Sequence, residues 1–138
     1  MRYITIDEEI LKSKAWNSLN PAAVKTYLNI STKIIKPNKK QRNKCRLPWD
    51  TILNNGDIGY SENDAIKMGL SKGKHNRGIN DLIDKGFVEI TCQGGIGIKN
   101  KFKIIDKWKS WDENHKGFYK KRFMPVGMKS RFKSTPQK

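Results

Sequence analysis

The stretch from Ser61 to Ile105 constrains the fold most, because it holds two helix starts, a turn, a helix stop and two strands in fixed order. Ser61 opens Ser61-Glu62-Asn63-Asp64. A serine hydroxyl there accepts from backbone N–H groups, and acids in the first turn meet the positive helix end. Ala65, Ile66 and Met68 follow, Gly69-Leu70 make a turn, and Ser71 caps a second helix through Lys85. Ile79, Leu82 and Ile83 recur at helical spacing and form one apolar face. Gly86 stops that helix, since glycine adopts the left-handed conformation needed just past a helix end, and Phe87 folds back on the last turn. Val88, Ile90 and Cys92 then alternate with Glu89 and Thr91, and Phe102 and Ile104 with Lys101 and Lys103, the period of two half-buried strands. The glycine-rich loop Gln93 to Asn100 between them has neither the Lys-Ser/Thr pair nor the following helix of a phosphate cradle, so it reads as a hairpin wing.

The side of the second helix opposite Ile79 and Leu82 carries Lys74, Arg77, Asp81 and Asp84, with Lys72, Asn76 and Asn80 near its edges. Basic and amide groups crowd its N-terminal half. Lys and Arg suit phosphates and guanine edges, and Asn suits adenine, so this half-helix is matched to a major groove; a solvated face with ordinary charges is the alternative.

Gly69-Leu70-Ser71-Lys72, followed by Arg77-Gly78-Ile79-Asn80-Asp81-Leu82-Ile83-Asp84-Lys85-Gly86-Phe87-Val88, resembles the recognition-helix-to-wing segment of winged helix-turn-helix proteins of phages, plasmids and other mobile elements. Ala15-Trp16-Asn17-Ser18-Leu19 resembles their opening, and the pattern runs from about Ala15 to Trp108. Such segments usually carry Ser or Thr where this chain has Gly73, Lys74 and Asn76, and alanine where it has Gly78. The resemblance implies an α+β fold, a three-helix core with a small antiparallel β-sheet wing. It also implies double-stranded DNA as partner, read by Ser71, Lys72, Lys74, Asn76, Arg77 and Asn80, with Lys99 and Lys101 of the wing on the backbone.

A chain of 138 residues suffices for one domain with tails, and residues 1–112 and 113–138 are the expected division. Its formal charge of +16 points to a polyanionic partner. No apolar run approaches the length of a membrane span, and no secretory leader is visible at Met1-Arg2-Tyr3-Ile4, so a cytoplasmic protein without membrane contact is expected. Cys45 and Cys92 lie far apart without a second Cys or His at ligand spacing, so no metal or cofactor is expected; Cys92 reads as a small apolar strand residue and Cys45 as a thiol in a basic loop.

Along the rest of the chain, Tyr3 to Ser13 reads as an extended piece entering a helix with acids in its first turn. Asn20-Pro21 starts the first core helix, with Val24, Tyr27, Leu28, Ser31 and Ile35 at helical spacing and Trp16 and Leu19 at its entrance. Residues 36–46 hold Lys39, Lys40, Arg42 and Lys44 without an acid and read as a mobile loop, either solvated or touching phosphates. Leu47 to Asn54 reads as a short helical turn with Trp49, Ile52 and Leu53 inward, and Ile58-Gly59-Tyr60 as a strand pairing with the hairpin. Asp106 to Trp111 reads as a helix laying Trp108 on the core. After Glu113 the chain is basic and aromatic-dotted, and Lys120, Lys121 and Arg122 are expected on the DNA backbone if that tail orders on nucleic acid.

No catalytic constellation emerges. His75 and His115 stand alone, His75 on the apolar side of its helix, and no third carboxylate joins Asp81 and Asp84. The expected function is therefore a non-enzymatic, sequence-specific DNA binder, a transcriptional or copy-number regulator of a mobile element. A homodimer and a replication or transcription protein are its further expected partners. The alternatives are a replication-initiation accessory or architectural protein and, third, an RNA binder.

Overall fold

The structure, a computed structural model, describes residues 3–48, 51–95 and 97–113. The described residues form a mixed α+β fold of six α-helices, one 3-10 turn and one small antiparallel sheet. Helix starts follow local capping chemistry. Asp7 caps α1 (Glu8–Lys12), Ser13 caps α2 (Lys14–Asn17), and the Asn20 side chain accepts from the Ala23 N–H at 2.7 Å ahead of α3 (Pro21–Ser31). Ser61 and Asp64 form a reciprocal capping box at α5 (Glu62–Lys67), with bonds of 3.1 and 2.9 Å. Ser71 caps α6 (Lys72–Asp84), and the turn before it passes through Gly69 at φ 93°.

Three strands back the helices in the order β1 (Ile58–Gly59), β3 (Lys101–Ile104), β2 (Val88–Cys92), all antiparallel. The expected pairing of the Ile58 segment with the hairpin is therefore present. Ile58 lies opposite Phe102 on one side, and Ile90 lies opposite Phe102 on the other.

The core sits between α3, α6 and the sheet, where Tyr27, Ile30, Ile79, Leu82, Phe87 and Phe102 are buried. Trp16 meets the rings of Tyr27 and Phe87 edge-on at 5.5 and 5.9 Å, and Trp108 stacks on Phe87 at 5.9 Å. Trp108 belongs to a 3-10 turn, Lys107–Ser110, and its N–H donates to the Gly86 carbonyl at 3.1 Å. Helix α6 crosses α3 at Gly78. A Cβ there would lie 2.8 Å from the Ala22 carbonyl oxygen, so only glycine permits this approach.

Several expectations are corrected. Residues 36–46 are not all loop: Lys39–Cys45 form α4, which opens on a capping box between Asn38 and Gln41 (2.8 and 2.9 Å) and ends at Arg46 in the left-handed region. The Asn38 and Gln41 side chains act as caps, and Lys, Gln and Arg are good helix formers. α3 buries Ala23, Thr26, Tyr27 and Ile30, while Val24 and Leu28 are half-buried, because the crossing of α6 rotates the covered face. The helix stops at Ser31, so Ile35 falls outside it and is exposed; its N–H donates to the Asn54 side chain at 2.8 Å. The described part of the Leu47–Asn54 segment forms no helix, and Leu53 is exposed because its N–H turns to the Ile35 carbonyl. Cys92 is also exposed. The β2–β3 register shifts between Ile90 and Cys92, which sets Cys92 opposite Lys101 and takes it off the buried face. Trp49 and the whole tail beyond residue 113 lie outside the described residues.

Candidate nucleic-acid interface

Helix α6 divides its residues by face. His75, Gly78, Ile79, Leu82 and Ile83 are buried, which places the expected apolar side, His75 included, inward. Ser71, Lys72, Lys74 and Arg77 are exposed, and Asn76 and Asn80 are half-buried. Among the described residues Lys72, Lys74 and Arg77 form no ion pair. Farther along, Asp81 accepts from the Lys85 ammonium and from the Asn20 N–H at 2.9 Å, so its charge is spent holding α6 to the start of α3. The N-terminal half of α6 is thus an unopposed basic surface, and the C-terminal half is locally neutralised.

The Asn76 side chain departs from the expected outward amide. Its oxygen is buried and accepts no hydrogen bond among the described residues. Gly78 lies at the α3 crossing and Gly73 is exposed.

Under α6 lies a polar layer. The Asn29 amide donates to the Tyr60 hydroxyl at 3.1 Å, and the Tyr60 and His75 rings lie 5.5 Å apart. Burial pushes His75 down to about 4, against the opposing pull of Asp64, so the imidazole is neutral near pH 7. The ring is fully buried, away from solvent.

The two hairpin lysines expected on the DNA backbone are paired with acids. Lys99 reaches Asp64 at 3.0 Å and Lys101 reaches Asp57 at 2.6 Å. Burial would raise the Asp64 carboxyl, but the Ser61 N–H, the Lys99 ammonium, the Ser61 hydroxyl and Lys33 outweigh it and hold it at about 2. The hydrogen bond from Lys101 to Asp57, then the Asp57 charge, raise Lys101. One carboxylate therefore caps α5 and tethers the hairpin to it. The loop is closed by the Gly94 N–H donating to the Asn100 side chain at 2.6 Å and by a bridge between Gly95 and Ile98.

On α4, Lys39, Lys40 and Lys44 are exposed, whereas Arg42 is half-buried with its Nε inside. Lys120, Lys121 and Arg122 lie outside the described residues. Lys25 on α3 is a cation that the sequence reading missed. Its ammonium lies beside the Gly69 turn, 2.9 Å from where a Cβ at Gly69 would stand, and it lines a depression of about 500 Å³ with Lys74 and Arg77. Among the described residues no three His, Cys, Asp or Glu side chains form a metal-holding group, and no helix is long and apolar enough to cross a membrane. Comparison with protein-family models, with curated proteins and with solved structures finds no match for this chain.

Proposed function

We propose that this chain is a winged helix-turn-helix DNA-binding protein that lays α6 in the major groove of duplex DNA, with the β2–β3 loop along the adjacent backbone. The observation that carries the reading is the unpaired basic surface Lys72, Lys74 and Arg77 on the N-terminal half of α6, opposite a fully buried apolar face. α5, the Gly69-Leu70 turn and α6 hold that surface rigidly, because a capping box fixes the start of α5 while the Ser71 cap and the α3 crossing fix α6. A groove-reading helix needs such a rigid mount. The charge of +16 supplies long-range attraction to a polyanion. The narrower role, a transcriptional or copy-number regulator of a mobile element, rests on the sequence resemblance.

Selection of bound sites from random duplexes, followed by titration at several salt concentrations, tests the reading. The expected result is an enriched site bound with log affinity falling by roughly 0.9 per phosphate contact for each unit of log salt. Arg77→Ala is expected to cost about 1–3 kcal/mol of preference for that site over a scrambled one. No enriched site, or binding without a salt slope, would refute it.

A further inference from the structure

We propose that Lys25 and Lys74, with Arg77 at the rim, form a clamp for one phosphate of the duplex backbone on the α3 side of α6. The inference rests on the DNA reading above and adds a contact from α3, a helix outside the α5–turn–α6 unit. Three side-chain cations line one depression of about 500 Å³, together with Asn20, Pro21, Ala22 and the Gly69-Leu70 turn, and among the described residues no carboxylate lines it. The nearest acid on α6, Asp81, is held by Lys85 and by the Asn20 N–H. Like charges gathered without a counter-charge repel one another, and a bound anion relieves that repulsion.

Position selects the kind of anion. α3 is an 11-residue helix whose positive end forms part of the wall. Lys25 is exposed but its ammonium leans over the Gly69 turn, and the Arg77 guanidinium folds back over Gly73, 3.5 Å from where a Cβ would stand there. On the helical wheel of α6, Lys74 points toward the α3 flank carrying Gly78, whereas Arg77 lies nearer the outermost line. A helix seated in the groove has sugar-phosphate backbone along its flanks and base edges beneath it. Lys74 and Lys25 therefore meet a strand, and Arg77 lies between strand and bases. Lysine suits this place, being a point charge that takes a phosphate oxygen without demanding bidentate geometry.

The test is duplex binding by full-length Lys25→Gln and Lys25→Arg, on the selected site and on a scrambled duplex, with melting curves showing that both variants fold. Lys25→Gln is expected to weaken both duplexes by the same factor, about fivefold at 0.15 M salt, and to make the salt slope less negative by roughly 0.9. Lys25→Arg is expected to retain most of the affinity. If the wild type binds duplex with a salt slope and Lys25→Gln matches it, the clamp is overturned while the DNA reading stands. If the wild type binds no duplex, both fall. Inorganic phosphate titrated into the wild type distinguishes the source: saturating shifts of the Gly69 and Lys74 amide resonances without duplex binding would overturn the DNA backbone as occupant.

Discussion

Gly78 is where helix propensity and tertiary packing make opposite demands, so Gly78→Ala tests whether the α3–α6 crossing is as close as described. Propensity alone favours alanine by about 1 kcal/mol in a helix interior. The added Cβ, however, would stand 2.6 Å from the Thr26 Oγ1, 2.8 Å from the Ala22 carbonyl oxygen and 3.0 Å from its carbon. Thr26 is fully buried and β-branched, so its hydroxyl has little room to turn away, and the Ala22 carbonyl belongs to the α3 backbone. Ordinary contact requires the helices to part by roughly half an ångström, which loosens Tyr27 and Ile30 against Ile79 and Leu82. Overpacking of this kind costs about 1–3 kcal/mol, to which the loosened core adds. Packing outweighs propensity, with an expected net loss of about 1–2 kcal/mol and a fall in Tm of roughly 4–10 °C for a domain of this size. Gly73→Ala supplies the contrast within the same helix. Only the flexible end of Arg77 lies near its Cβ position, at 3.5 Å, so that variant is expected to gain about 0.4–1 kcal/mol. Urea and thermal unfolding followed by circular dichroism read both. A Gly78→Ala protein as stable as the wild type would refute the crossing as the reason for glycine there.

Two further outcomes are expected. His75 titrates at about 4 when folded against 6.5 in its ordinary state, so its neutral burial contributes stability above pH 6.5; that contribution declines by up to about 3 kcal/mol as the pH falls to 4. Urea midpoints across this range should shift downward and should do so less in His75→Gln; equal slopes for the two proteins would remove His75 as the cause. Asp64→Ala removes the α5 capping box and the tether to Lys99 and Lys33, so stability should fall by about 1–2 kcal/mol while duplex affinity holds or rises, an anion having left and two lysines been released. A loss of duplex affinity in a variant still folded at the assay temperature would contradict this.

What was legible in the sequence was chemistry that acts within a few residues. The caps at Asn20, Ser61 and Ser71 and the stop at Gly86, with φ of 82°, depend on local backbone geometry and stand where the residues pointed. The three-strand pairing also followed, since alternation in Val88–Cys92 and around Phe102 specifies a buried face. Expectations failed where a distant element decided. The covered face of α3 depends on where α6 crosses it, and Cys92 depends on a register shift that alternation does not encode. Lys25 carried no local signal, being one exposed lysine in a helix, and its significance arises from the turn that α5 and α6 bring beside it. The basic segment at α4 was misread for another reason: Asn38 and Gln41 suit loops and caps equally, and only their reciprocal bonds decide between them.

The same long-range placement explains how a chain with 13 acids can keep one helix face basic. Asp57 holds Lys101, Asp64 holds Lys99 and attracts Lys33 from 3.9 Å, and Asp81 holds Lys85. Each of these acids therefore neutralises a lysine of the scaffold, and none of them lines the depression shared by Lys25, Lys74 and Arg77. Asp81 has a second effect, because its bond to the Asn20 N–H fixes the start of α3 against α6. Lys25 lies five residues after Asn20 on that helix, so the carboxylate that leaves the C-terminal half of α6 electrically quiet also sets the distance at which the α3 cation stands from the turn. In the DNA reading, Asp81 thus acts as a positioning element for the unpaired cations of the first two turns of α6 and the adjoining flank of α3.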